Sequence, residues 1–207
     1  MSPVAIVDSG GANIASLLFA FERLGVAAEL TTDSRKIRLA ERVLLPGVGA
    51  AKDAMRRLEE ARLIDVIRNL QQPVLGICLG MQLLCDASQE EDVECLGIVP
   101  GVATRLDVAE DCAVPNMGWC ATTVRQPHPV LDGIDDNSWF YYLHSYALPV
   151  GSHTFATANH ASTFSAVIGK DNFVAAQFHP ERSSAAGAQL LRNVLEWQPC
   201  GAFPQST

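Results

Sequence analysis

A cysteine with glycine two residues before and two after, in Gly76-Ile77-Cys78-Leu79-Gly80-Met81-Gln82, constrains this chain more than any other segment. It follows the apolar run Pro73-Val74-Leu75, which reads as a buried strand. It precedes Met81-Gln82-Leu83-Leu84, which reads as the first turn of a helix. A thiol on a strand-to-helix turn is the cysteine form of the nucleophile elbow. Such a turn strains the dihedrals of Cys78, and a Cβ at position 76 or 80 would crowd neighbouring backbone. The sulfur then stands at a helix N-terminus, whose partial positive charge favours thiolate over thiol. Taken alone, the segment also fits an inert core cysteine in a Gly-rich turn.

A second motif decides between the two. Gln177-Phe178-His179-Pro180-Glu181 lies about a hundred residues further on, after the strand-like run Asn172-Phe173-Val174-Ala175-Ala176. In an extended segment residues i and i+2 point to the same side, so His179 and Glu181 are expected to share a face, with Pro180 stiffening the backbone between them. A nucleophile needs a base, and the base needs a group that fixes its tautomer. Cys78, His179 and Glu181 supply the three roles.

Composition sets the context. At 207 residues the chain is expected to form one domain over 1–207, with about 198–207 as a C-terminal tail. The start runs directly into Val4-Ala5-Ile6-Val7-Asp8, without the basic and longer apolar regions of a secretory signal. Cysteines at 78, 85, 95, 112, 120 and 200 lack Cys-x-x-Cys spacing, which points to a reduced, cytoplasmic protein rather than a disulfide scaffold. A net charge of −8 without a basic run argues against nucleic acid or an anionic membrane as partner. No nucleotide motif or metal-ligand spacing of the five histidines is present, so no metal and no cofactor are expected.

Strands are expected at 3–8, 26–31, 42–45 and 73–77, and helices at 13–24, 50–70 (broken near Ala61) and 79–87. Gly25 reads as a helix stop after Leu17, Leu18, Phe21 and Leu24. This alternation implies an α/β fold with a mostly parallel central sheet flanked by helices. The second half reads as short strands at 102–106, 119–125, 138–142, 144–148, 153–158, 164–168 and 172–178, additional antiparallel strands to that sheet, closed by a helix at 183–197. A third element, Leu44-Leu45-Pro46-Gly47-Val48-Gly49, ends a strand with two glycines that let backbone N–H groups approach a ligand. An oxyanion hole requires such donors, here near Val48 and at Leu79, the residue after the nucleophile.

Gly-Ile-Cys-Leu-Gly-Met-Gln, Pro-Gly-Val-Gly and Phe-His-Pro-Glu together resemble the signature of class I, triad-type glutamine amidotransferases. Asp8-Ser9-Gly10-Gly11-Ala12-Asn13, Pro115-Asn116-Met117-Gly118-Trp119 and Tyr141-Tyr142-Leu143-His144-Ser145-Tyr146 narrow the resemblance to the glutaminase subunits of imidazole glycerol phosphate synthases. The resemblance spans residues 8 to 182. It implies that Cys78 attacks the side-chain amide of glutamine, with His179 and Glu181 completing the triad. It also implies that Gly49, Gln82, Ser145 and Tyr146 hold the substrate. The ammonia would pass to a (β/α)8-barrel cyclase subunit, in a heterodimer that serves histidine biosynthesis. Asn13, Trp119, Tyr141 and Arg182 are the expected partner-facing residues. Two positions depart from the family pattern: Cys120 stands where Asn usually follows the Trp, and Arg182 where Lys often follows His-Pro-Glu. Rival readings are the glutaminase subunits of pyridoxal phosphate, aminobenzoate or anthranilate synthesis, a silent regulatory copy of the fold, and a stand-alone cysteine hydrolase.

Overall fold

A computed structural model describes residues 4–10, 14–110 and 112–199. The first half alternates: β1 (Val4–Val7), α1 (Ile14–Arg23), β2 (Ala28–Thr31), α2 (Ser34–Leu39), β3 (Val43–Gly47), α3 (Ala51–Glu60), α4 (Ile64–Arg68), β4 (Val74–Cys78) and α5 (Leu79–Leu84). The second half is mostly strand: β5 (Ala87–Ser88), β6 (Val93–Glu94), β7 (Val102–Arg105), β8 (Asn116–Val124), β9 (Ser138–His144), β10 (Tyr146–Ala147), β11 (Thr154–His160), β12 (Ser162–Lys170) and β13 (Phe173–Ala176). Helix α6 (Ser184–Glu196) follows.

Among the described residues, nine strands form one sheet in the order β2-β1-β3-β4-β13-β12-β11-β8-β9, and β10-β7-β5-β6 form a second. In the large sheet the pairings are parallel from β2 to β13 and antiparallel from β13 to β9. The expected antiparallel strands thus continue the parallel sheet edge to edge. The pairing that matters most is β13 with β4, where Ala176 lies opposite Ile77. It brings the end of β13 beside Cys78.

The parallel strands are apolar because both faces are covered. Along β3, Val43 and Leu45 pack with Ile37, Leu58, Ile67 and Leu79 from α2, α3, α4 and α5. Leu44 packs on the opposite face with Leu17 and Phe21 of α1 and Leu190 and Val194 of α6. Leu44 and Leu45 are both fully buried, and truncating such a leucine typically costs about 2–5 kcal/mol. This rigid slab presents its strand ends to the cleft described below.

The expected helix break near Ala61 is present, with Arg62 at φ +55° between α3 and α4. Gly25 takes φ +72° after α1, the left-handed conformation that ends a helix without a Cβ penalty. Several elements differ from the sequence expectation, three of them as follows. Helix α2 is too short to show a period, and Asp33 caps it by accepting from the N–H groups of Arg35 and Lys36. The helix expected over 79–87 stops at Leu84, because Ala87–Ser88 pairs into the second sheet. The break expected near residue 143 comes later: β9 runs through His144, and Tyr146–Ala147 crosses to pair with β7.

Candidate active site

Cys78 ends β4 at φ +53° and ψ −108°, a backbone state that L residues adopt only under constraint. The flanking glycines supply the constraint. A Cβ on Gly80 would lie 1.7 Å from the carbonyl oxygen of Leu45, and one on Gly76 would lie 2.9 Å from that of Gly80. Strand β3, strand β4 and helix α5 therefore meet backbone to backbone, and the sulfur is fixed at their junction. Its surroundings are the carbonyl of Leu143, which accepts from Sγ at 3.5 Å, and the amide of Gln177, which donates to Sγ at 3.8 Å.

His179 and Glu181 come together, but not through an extended segment. Pro180–Arg182 forms a 3-10 turn, and this turn carries the Glu181 carboxylate back to the ring. The Nδ1–H of His179 donates to Oε1 of Glu181 at 3.0 Å, with both side chains buried. Proline fits the first position of such a turn because its φ is preset and it needs no N–H partner there. The backbone N–H of His179 donates to the carbonyl of Tyr141 at 2.9 Å. Ser183 Oγ donates to the carbonyl of His179 at 2.6 Å and accepts from the N–H of Tyr141 at 2.9 Å. One bond to the ring and two to the backbone thus fix His179.

The ring's charge follows from its neighbours. Burial opposes protonation and is the largest single influence, yet the proximity of Cys78 and then Glu181 outweighs it and raises His179 to about 10. The Nε2 of His179 has no formed hydrogen bond among the described residues, so Cys78 acts on the ring across a gap. Cys95, by contrast, is pushed up to about 11 by burial alone, and Cys85 is pushed up further by the same cause. Those thiols are inert packing.

Cys78 and His179 open into a cleft of about 230 Å³, which is also lined by the expected Val48, Gly49, Leu79, Gln82, Ser145 and Tyr146. Gly49 stands at φ +90° with no atom within 4 Å of where a Cβ would be, so its glycine answers a backbone requirement rather than a close approach. Ser9 Oγ donates to the carbonyl of Pro46 at 2.8 Å, anchoring the segment before Val48. Gln82 Nε2 donates to the carbonyl of Tyr146 at 3.1 Å, while its Oε1 is buried without a partner. That fixed orientation leaves Oε1 as an unused acceptor. The same Tyr146 carbonyl accepts from Nδ1–H of His144 at 2.9 Å, and His144 Nε2 faces Asn116 Nδ2 at 3.2 Å. Burial lowers His144 to about 4, which keeps it neutral.

Glu90, Pro115 and His144 line the same cleft; Pro115 and His144 stand in the motif segments without an expected site role, and Glu90 stands in none. Glu90 lies in a short turn between two-residue strands, where no periodicity marks it. Its carboxyl is raised by burial, against a hydrogen bond from the N–H of Ala51 at the start of α3. Among the described residues, no group of three or more His, Cys, Asp or Glu could hold a metal ion.

Of the partner-facing residues expected, Asn13 lies outside the described residues. Trp119 is half exposed and meets Tyr141 edge to face at 6.2 Å, and the guanidinium of Arg182 sits over the Tyr141 ring. These three share one place. On the same face of β8 and β9, Met117, Trp139 and Leu143 are also exposed. Alternation was the signal for them: Met117 and Trp119 on one strand, Trp139, Tyr141 and Leu143 on the other, each two residues apart. No helix among the described residues is long and apolar enough to cross a membrane.

Residues 5–197 match the model of a family described as glutamine amidotransferase class-I. The chain is 46% identical to the protein named imidazole glycerol phosphate synthase subunit HisH from Vibrio cholerae serotype O1, over 93% of this chain and 98% of that one. It is also 46% identical to the protein of the same name from Xanthomonas axonopodis pv. citri, over 95% of this chain and 98% of that one. A crystal structure of a glutamine amidotransferase superimposes with a TM-score of 0.72 at 16% identity, covering 93% of this chain and 97% of that one.

Proposed function

From the premise that this chain belongs to the class I glutamine amidotransferases, we propose that it is the glutaminase subunit of an imidazole glycerol phosphate synthase. The observation that carries the reading is the buried His179–Glu181 pair at 3.0 Å, with the free Nε2 of His179 beside the strained Cys78.

The thiolate of Cys78 attacks the side-chain amide carbon of glutamine, and the carbonyl electron pair moves onto oxygen. Backbone donors near Val48 and at Leu79 meet that oxyanion; one such donor is worth roughly 2.7–4 kcal/mol in the transition state. His179, protonated and oriented by Glu181, gives its Nε2 proton to the departing nitrogen, and ammonia leaves. It then takes a proton from water, which attacks the thioester. Glutamate departs and the thiolate is restored.

Gln82 and the Glu90 carboxyl, whose residues both line the cleft, suit the α-ammonium of a free amino acid. Gly49, Ser145 and Tyr146 surround the remaining length of the substrate. Ammonia in neutral water is largely protonated and without a lone pair, so its use requires a dry route to a second site. The partner is a (β/α)8-barrel cyclase subunit bound as a heterodimer. It uses ammonia to convert a phosphorylated ribulosyl aminoimidazole compound into imidazole glycerol phosphate and an aminoimidazole carboxamide ribotide. The Trp119, Tyr141 and Arg182 face, widened by Met117, Trp139 and Leu143, is the surface that meets it, because aromatic side chains, Met and Arg are the residues enriched at such interfaces.

The test is glutamate release by the subunit alone, with the cyclase, and with the cyclase plus its ligand, in wild type and Cys78→Ala. The variant should lose hydrolysis in every condition yet still support the cyclase with free ammonium in alkaline solution. Hydrolysis surviving in Cys78→Ala would remove the nucleophile from this reading. Equal wild-type rates in all three conditions would favour a stand-alone glutaminase.

A further inference from the structure

Gln177 is a fully buried amide whose presence packing does not explain. It follows β13, and its backbone N–H donates to the carbonyl of Ala166 at 2.9 Å. Its side-chain Nε2 reaches Sγ of Cys78 at 3.8 Å, while its Oε1 is buried without a hydrogen-bond partner. An unpartnered buried oxygen costs stability, and a methionine would fill the same length without that cost. Among the described residues, the one polar contact the amide makes is with the sulfur.

We infer that Gln177 is a positioning residue for the Cys78 thiolate, its Nε2–H serving as a neutral donor to the sulfur. The inference rests on the reading of Cys78 as nucleophile. Three groups surround that sulfur, and they treat its two charge states differently. The Leu143 carbonyl accepts from the thiol at 3.5 Å, and it repels the sulfur once the proton has gone. His179 loses its positive charge when it gives its proton to the departing nitrogen. Gln177 keeps its N–H throughout the cycle. Turning the amide would set Oε1 against an electron-rich sulfur, so only one orientation serves a thiolate. A thioester sulfur is a poorer acceptor than a thiolate, so the same donor also favours expulsion of the thiolate when the second tetrahedral intermediate collapses.

The test is the rate at which iodoacetamide alkylates Cys78 across a pH series, read by peptide mass spectrometry in wild type and Gln177→Met. Methionine keeps length and burial but cannot donate. The variant should unfold at an equal or higher temperature. At neutral pH its Cys78 should react about tenfold more slowly, the order expected from losing one hydrogen bond to a charged sulfur. In strongly alkaline solution, where thiols ionise unaided, the two rates should converge. A purely structural Gln177 predicts the reverse, a lower melting temperature with unchanged alkylation, and that result overturns the inference.

Should Gln177→Met fail to fold, the wild-type protein supplies the measurement. The side-chain N–H resonances of Gln177 should shift when the sulfur is methylated with methyl iodide, and unchanged resonances overturn the inference equally. A wrong glutaminase reading would announce itself elsewhere, as hydrolysis persisting in Cys78→Ala, and the alkylation comparison does not depend on turnover.

Discussion

The guanidinium of Arg182 lies 4.2 Å from the centroid of the Tyr141 ring, so the residue next to Glu181 is stacked on the exposed face of β9. The backbone of Tyr141 also receives the N–H of His179. A subunit docking on this face would touch a strand that holds His179, the proposed base, directly.

Arg182→Ala should therefore weaken stimulation of glutamine hydrolysis by the liganded cyclase roughly fivefold, the factor for a cation–π contact worth about 1 kcal/mol. The measurement is the ratio of stimulated to unstimulated rate in both proteins. An unchanged ratio would take Arg182 out of the coupling.

Within the proposed triad, Glu181→Gln should slow turnover less than His179→Ala, because on that reading one residue orients and the other transfers protons. The double variant should be little worse than His179→Ala alone, since members of one catalytic unit are not additive. A loss equal to the product of the two single losses would show that they act independently.

Gly80→Ala should be among the most damaging small substitutions in the chain. Its methyl would lie 1.7 Å from the Leu45 carbonyl, and both neighbours are backbone-bound elements of the core. Overpacking of this kind costs about 3 kcal/mol or more. Gly49→Ala meets no atom within 4 Å, and its left-handed φ costs only about 1–2 kcal/mol. Urea unfolding of both variants would rank them, and equal midpoints would contradict the packing argument.

Acid should destabilise the fold through His144. Its unfolded form takes up a proton near 6.5 and its folded form only near about 4, so the unfolded state binds more protons in that window. Stability is whole above pH 6.5 and falls as pH drops to about 4, by roughly 3 kcal/mol from this group. Chemical unfolding of wild type and His144→Asn across the window checks the sign. The variant should lose this part of the slope.

Glu90→Gln should raise KM for glutamine about tenfold while kcat changes little, as expected for loss of a charge-assisted hydrogen bond to the α-ammonium. Initial rates over a range of glutamine concentrations separate the two constants. A lower kcat with constant KM would assign Glu90 to capping α3 through Ala51 rather than to substrate.

The residues best read in advance were those whose chemistry is written locally. Gly76, Cys78 and Gly80 encode a turn whose reasons are steric, and the positive φ of Cys78 with the Leu45 contact of Gly80 matches that reading. His179 and Glu181 do lie in contact, but for a different geometric reason, since a 3-10 turn brings them together where an extended strand was expected. Glu90 and Gln177 were not legible because their roles arise from chain segments far apart in sequence. Nothing around Glu90 says that it lines the same cleft as Cys78. Likewise α2, β5 and β6 hold six, two and two residues, too few to carry a period.

The placement of β13 between β4 and β12 has a consequence for the newborn chain. Cys78 emerges from the ribosome well before His179 and Glu181, and until β13 exists β4 has only β3 as a neighbour in the sheet. At translation speeds of roughly 5–20 residues per second, the elbow waits several seconds or longer for His179, the proposed base. A truncated or stalled chain thus carries the thiol without the means to use it. Turnover, when it is measured, is a certificate that the last parallel strand has been threaded into the sheet.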